Sequence, residues 1–254
     1  MPIYDKPVRL LMRDMVSDLN LQKGQVISKS EALSWFKKHY PKIKPGTVSA
    51  HLIRLSTNAP SRVHYHAESD QDDLFFQIDG SHFRLYDRVA DPSPIRATLN
   101  ASVETDIDLQ SADTENADAE DAVEPTEFAY ESDLRNFLAK HLEKIESGLR
   151  LYEDEGITGI EFPVGGRFID ILALDSKNDF VVIELKVSRG YDRVVGQLLR
   201  YMGWIKKKQA EPAQNVRGVI VARDISEDLQ LACSEIPNVK LFEYQLEVSL
   251  KQVN

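Results

Sequence analysis

The chain has 254 residues, 42% of them apolar, enough for one large domain or two ordinary ones, and a formal net charge of −10. No apolar run reaches the roughly 20 residues needed to span a bilayer, and the first residues lack the charged-then-apolar order of a secretion signal. The one cysteine, Cys233, excludes an internal disulfide and a thiolate zinc cluster and reads as packing, so a cytoplasmic protein without membrane contact is expected.

In chain order, residues 7–19 place Val8, Leu11, Met12, Met15, Val16 and Leu19 on one helical face. Ser28 or Ser30 caps a second predicted helix carrying Ala32, Leu33, Trp35 and Phe36, which Pro41 stops. Pro45-Gly46-Thr47 opens a third over residues 48–55, with Val48, Leu52 and Leu55 inward. Residues 62–66, 74–78 and 82–86 read as strands, the last two joined by an Asp79-Gly80 turn. Three helices and a hairpin make a winged-helix pattern for residues 1–96.

Between Lys23 and Arg62 stand eight bases and one acid, Glu31. That charge surrounds the third helix, where Thr47, Ser49, His51 and Arg54 are expected to be exposed. With Lys42 and Lys44 they form a candidate nucleic-acid surface, since clustered cations attract phosphates. Winged helices also serve as protein-interaction or dimerisation modules, so a protein partner is the other reading of this domain. His64 and His66 have strand alternation but no further ligand nearby, and zinc is not expected.

The charge is uneven along the chain. Residues 1–96 carry 14 bases against 11 acids, residues 127–254 carry 17 against 21, and residues 97–126 carry nine acids and no base. The middle run has hardly any large apolar residues and cannot offset its ordering entropy by burial, so it reads as a disordered acidic linker. A spacer is the first reading; an acidic mimic competing with DNA for a basic surface is the second.

Past the linker, an amphipathic helix is predicted over residues 128–142, with Glu131 near its start. Strand patterns follow at 159–162, 167–174 and 180–186, then a helix at 191–208, a strand at 216–222, a short helix at 227–233 and a strand at 239–244. This is a mixed α/β layout within an α+β protein. Two strands flank a polar turn, and thirteen residues separate Asp170 on the first from Glu184-Leu185-Lys186 on the second.

If those strands pair antiparallel, Asp170 and Glu184 converge, and Lys186 shares the face of Glu184 because strand side chains alternate. Hard cations such as Mg²⁺ take oxygen ligands and keep several waters, so Asp170 and Glu184 suffice with a phosphate, Glu131 and the Leu185 carbonyl being further candidate ligands. Such a centre beside a lysine hydrolyses phosphodiesters. Mn²⁺ is expected to substitute. Arg167, Arg189, Arg193 and Arg200 flank the carboxylates as candidate phosphate contacts.

The order Glu131, Gly165-Gly166-Arg167-Phe168-Ile169-Asp170, Glu184-Leu185-Lys186 and Gln197-Leu198-Leu199-Arg200-Tyr201 resembles the PD-(D/E)xK nuclease superfamily and its RecB-like branch. Residues 181–186, 196–204 and 216–218 are similar to the nuclease domain of the NucS endonucleases, and the likeness covers about residues 128–245. It does not extend to the N-terminal half, where those enzymes carry a β-rich DNA-binding and dimerisation domain. The resemblance implies a restriction-endonuclease-like mixed-sheet core, with Gln197 and Tyr201 beside the metal, positioning substrate or Lys186.

The expectation is a Mg²⁺-dependent DNA endonuclease of prokaryotic repair or defence against foreign DNA, acting as a homodimer so that each strand meets one site. The alternative is a non-catalytic DNA-binding regulator or adaptor on a nuclease-like scaffold.

Overall fold

The computed structural model describes residues 3–68, 70–96, 125–186 and 191–245, with the backbone alone for 125–130, 191 and 192. Nearly all of the segment read as a linker, residues 97–124, lies outside the described residues.

The N-terminal part runs α1 (Val8–Asp18), β1 (Val26–Ser28), α2 (Lys29–His39), α3 (Pro45–Arg54), a 3-10 helix (Pro60–His64), β2 (Phe75–Gln77) and β3 (His82–Leu85). Local chemistry sets these bounds. Ser28 caps α2 through a capping box in which its side chain accepts from the Glu31 amide while Glu31 accepts from the Ser28 amide. Pro45 opens α3 with its backbone already at a helical φ. The Asp79 carboxylate accepts from the Ser81 and His82 amides and closes the hairpin between β2 and β3.

The three strands form an antiparallel sheet in the order β1-β3-β2. The short β1 carries no alternation of its own and was not expected from the sequence. The strand expected over residues 62–66 is instead the 3-10 helix: Pro60 opens a tight turn, and Arg62 and Tyr65, three apart, both point inward at 1% and 0% exposure.

The C-terminal part runs α4 (Pro125–Lys140), a 3-10 turn (Leu142–Lys144), β4 (Arg150–Leu151), β5 (Glu153–Asp154), β6 (Ile157–Thr158), β7 (Ile160–Val164), β8 (Arg167–Leu174), β9 (Phe180–Lys186), α5 (Tyr191–Lys208), β10 (Val216–Ala222), α6 (Glu227–Ser234) and β11 (Val239–Glu243). Its main sheet has the order β11-β10-β9-β8-β4, with β7 also against β8. β8 runs antiparallel to β9, whereas β9, β10 and β11 are parallel, joined by crossovers through α5 and α6. It is a mixed α/β sheet. One face packs on α4 through Val181, Ile183 and Leu185, the other on α5 through Val182 and Leu172.

The two parts are not independent bodies on a tether. Leu11, Phe36, Leu52 and Phe75 belong to the same hydrophobic cluster as Phe162, Leu172, Val182 and Leu198. Helix α3 lies at the seam, and Gly46 is required there: a Cβ would stand 2.3 Å from Gln209 Oε1 and 3.0 Å from the Phe162 ring.

This docking corrects the expected exposure of α3. Thr47, Ser49, His51 and Arg54 are 5%, 6%, 0% and 4% exposed. Thr47 Oγ1 donates to Asp154 Oδ2 at 3.0 Å and Ser49 Oγ donates to the Pro45 carbonyl at 2.9 Å. Burial holds the His51 imidazole down at about 4, so it is neutral near pH 7. The Arg54 guanidinium donates to Asp72 Oδ2 at 3.0 Å, to the Glu155 carbonyl at 2.6 Å and to the His66 carbonyl at 3.1 Å. The polar side chains of this helix tolerate burial because each finds a partner, in the helix itself, elsewhere in the N-terminal part, or at Asp154 and the Glu155 carbonyl of the C-terminal part.

Arg54→Ala leaves buried Asp72 with only the more distant Arg9, at 3.9 Å, as a cation among the described residues and is expected to cost about 3 kcal/mol in denaturant unfolding. The shared core further predicts that Trp35, in the N-terminal part, and Trp204, in the C-terminal part, report coincident midpoints in single-tryptophan variants. Two separated transitions, or a loss below about 1 kcal/mol for Arg54→Ala, would contradict the shared core.

Candidate active site

The antiparallel register pairs Ile171 with Ile183, so the next rung sets Asp170 opposite Glu184. Both occupy the sheet face that also carries Leu172 and Val182, under α5. Asp170 Oδ2 accepts from the Leu185 amide at 2.9 Å. Glu184 is 2% exposed, and Gln197 Nε2 on α5 donates to its Oε2 at 2.9 Å. Its other oxygen, Oε1, is buried with no hydrogen-bond partner among the described residues. Tyr201 lies one turn beyond Gln197 on the buried face of α5, and Lys186 ends β9 on the face of Glu184.

Electrostatics follow from crowding charges in a dry place. Burial, and then the charges of Glu131 and Glu161, push the Asp170 carboxyl up to about 7 despite the Leu185 amide and the Arg135 guanidinium, which favour its ionised form. Burial and neighbouring Asp170 push Glu184 well above the usual carboxylate range. Glu131 is also raised by burial, against the opposing pull of Lys186 and Arg135. Burial, reinforced by Glu184, raises the Tyr201 phenol, which therefore keeps its proton as a hydrogen-bond donor.

The residues fit a hard divalent cation. Two carboxylates that repel each other, one with an oxygen lacking any donor, are the acceptor set such an ion binds, and one or two carboxylates are enough for Mg²⁺ when waters and a phosphate complete the shell. Asp170 and Glu184 would hold it. Among the described residues, no three His, Cys, Asp or Glu side chains are grouped to hold a metal. Glu131, seven residues into α4, acts on Asp170 and Glu184 through its charge and would be a further candidate ligand. Leu185 buries its side chain against α4 and meets the site through its backbone.

A cleft of about 670 Å³ lies between the β7–β8 turn and α5 and meets this site at Tyr201. Arg167, Arg200, Tyr201 and Trp204 line it, and Gly165 and Gly166 form its edge in left-handed conformations, φ +56° and +90°. The Asp79–Ser81 hairpin turn of the N-terminal part forms the opposite wall. Arg167 and Arg200 are exposed there, and Arg193 is exposed at the start of α5. Arg189 lies outside the described residues. Lys42 is exposed away from the cleft lining, whereas Lys44 is half-buried and paired with Glu211 at 2.9 Å.

Sequence reasoning missed three participants. Trp204 and the hairpin turn reach the cleft only through the docking of the two parts. Glu161 was legible in principle: once β7 is paired with β8, Ile160 meets Ile171 and Phe162 meets Ile169, so Glu161 falls opposite Asp170. Its partner Arg135 is one turn beyond Glu131.

Residues 130–243 match the family model of the endonuclease NucS C-terminal domain, and residues 7–85 match a domain of unknown function (DUF7669). Endonuclease NucS of Pyrococcus abyssi is 29% identical over 110 residues, 43% of this chain and 40% of that protein. Endonuclease NucS 2 of Halobacterium salinarum is 31% identical over 132 residues, 51% of this chain and 49% of that one. The match thus spans less than half the length of these relatives. Among solved structures, a repair endonuclease from Pyrococcus abyssi is 24% identical with a TM-score of 0.39, covering 50% of each chain. An EndoMS–dsDNA complex is 22% identical with a TM-score of 0.38, covering 52% of this chain and 51% of that one. The C-terminal region is NucS-like, and the PD-(D/E)xK resemblance is consistent with it.

The raised carboxyls fix a sign. Glu184 is neutral in folded and unfolded chains at low pH; above its ordinary value of 4.5 the unfolded chain ionises first, so folding loses stability as pH rises toward the folded-state value. Metal-free Glu184→Gln is therefore expected to melt above wild type at pH 8, with the gap closing toward pH 4. Added Mn²⁺ should raise the wild-type melting temperature and leave the variant unmoved. A variant less stable than wild type at pH 8, or equally responsive to Mn²⁺, would contradict the site.

Proposed function

We propose that this chain is a metal-dependent DNA endonuclease that hydrolyses phosphodiester bonds, using Mg²⁺ with Mn²⁺ able to substitute, in prokaryotic DNA repair or defence. The observation that carries the reading is the pairing of half-buried Asp170 with buried Glu184, one of whose oxygens has no partner among the described residues, beside Lys186. The match of residues 130–243 to the NucS C-terminal domain supports the same class of chemistry.

A divalent cation held by Asp170 and Glu184 would acidify a bound water and polarise a phosphoryl oxygen. The chain's own groups do the rest. Gln197 fixes one oxygen of Glu184, so the other would be the one offered to a cation. Lys186 stabilises the negative charge that grows on the phosphate as the bond breaks. Tyr201, kept protonated, donates a hydrogen bond within the site, and Arg167 and Arg200 grip phosphates along the cleft.

The N-terminal part contributes to the substrate path through its hairpin turn rather than through α3, whose polar residues are occupied at the seam. A homodimer would give one site for each strand of a duplex.

Supercoiled plasmid incubated with Mg²⁺ or Mn²⁺ tests the reading. Wild type is expected to nick or linearise it, with Asp170→Ala and Lys186→Ala slower by about 100-fold or more, the scale of losing a group that stabilises transition-state charge. No cutting of plasmid, flap, mismatched or single-stranded DNA by wild type, or equal cutting by all three proteins, would overturn it.

A further inference from the structure

Glu161 sits within β7 at a backbone φ of +49°, a left-handed conformation that a non-glycine residue adopts at a cost and that persists only where its surroundings enforce it. The enforcement comes from the N-terminal part. Tyr65 OH donates to the Glu161 carbonyl and Ser61 Oγ donates to Glu161 Oε2, both through short contacts, while His64 Nε2 stands 4.0 Å from the same oxygen. The other carboxylate oxygen, Oε1, pairs with Arg135 Nη2 at 2.7 Å.

Arg135 is the cation that could spoil the site. It lies one turn from Glu131 on α4, and its charge is felt by both Glu131 and Asp170. Its side chain is 13% exposed and its Nε is buried without a partner among the described residues, so the guanidinium has an unspent donor near the site's unspent acceptor. Arginine and carboxylate form forked pairs that occupy the lone pairs a metal would use. What holds Arg135 away is the Glu161 carboxylate.

We propose that Glu161 is a positioning residue that holds Arg135 off Asp170 and Glu131, keeping them open to a divalent cation, and that Ser61 and Tyr65 of the N-terminal part hold Glu161 in turn. The inference rests on the metal site proposed above. It gives the docking of the two parts a role in the site: the 3-10 helix over Pro60–His64 and the residue after it reach the metal-binding carboxylates through one carboxylate and one guanidinium.

Mn²⁺ binding by calorimetry on the full chain, with wild type, Glu161→Gln, Arg135→Ala and the double variant, tests it. Glu161→Gln keeps the shape and releases Arg135, and is expected to weaken Mn²⁺ binding by about 10-fold or more, within the range of coupled neighbours. Arg135→Ala alone should change affinity by less than about 3-fold, and the double variant should return to within about 3-fold of wild type, because no guanidinium is left to release. Unchanged affinity in Glu161→Gln would overturn the inference. So would shifts that simply add, since a carboxylate and a guanidinium acting only as distant charges give independent effects. Arg135→Ala also serves if Glu161→Gln does not fold, because a fall in its affinity would overturn the role assigned to Glu161. Wild type that binds no Mn²⁺ would overturn this inference and the metal site together, whereas wild-type binding with an unchanged Glu161→Gln overturns this inference alone.

Discussion

Two carboxylates facing each other across β8 and β9 under a helix, Glu184 buried and Asp170 half-buried, are the constraint around which the C-terminal part is organised. An isolated buried carboxylate is costly, and a second beside it raises the cost, so the fold compensates locally. The Leu185 amide serves Asp170, Gln197 serves one oxygen of Glu184, and Tyr201 stays neutral above them. Among the described residues, one Glu184 oxygen is left unmatched. That remainder of unfavourable energy is what a cation would relieve, and it distinguishes a binding site from a buried polar network that is complete by itself.

The sheet supplies the precision. β8 carries Asp170 among Ile169, Ile171 and Leu172, and β9 carries Glu184 after Val181, Val182 and Ile183, so each charge is flanked by core residues that fix its register. A slip by one residue would turn both carboxylates toward α4. The N-terminal part is joined to this frame by a continuous core, by the Arg54 ligature to Asp72 and the Glu155 carbonyl, and by the Ser61 and Tyr65 contacts to Glu161. It packs as a wall of the same molecule.

Much of this is legible in the amino-acid sequence. The mixed α/β core, the antiparallel meeting of Asp170 with Glu184 and the placement of Gln197 and Tyr201 on one helical face all follow from alternation and periodicity, which are local. What failed was non-local. Thr47, Ser49, His51 and Arg54 read as a solvent face because the residues that cover them are remote: Asp154 and the Glu155 carbonyl, partners of Thr47 and Arg54, lie about a hundred residues away, while Ser49 and His51 turn back on carbonyls of their own helix. Residues 62–66 alternate like a strand, yet Pro60 and the inward pull on Arg62 and Tyr65 make a 3-10 turn. Glu131 was expected as a further ligand on its position in the motif; how far it reaches into the site depends on how α4 is set on the sheet, which the sequence does not encode locally.

The central claim is that Asp170 and Glu184 together bind a divalent cation. Anomalous diffraction from crystals grown with Mn²⁺ would test it most directly. The expected result is a manganese peak within coordinating distance of both carboxylates, the Glu184 oxygen not held by Gln197 among its ligands, and no such peak in Glu184→Gln. Crystals saturated with Mn²⁺ that show no peak at this pair, or show it only elsewhere on the molecule, would contradict the claim.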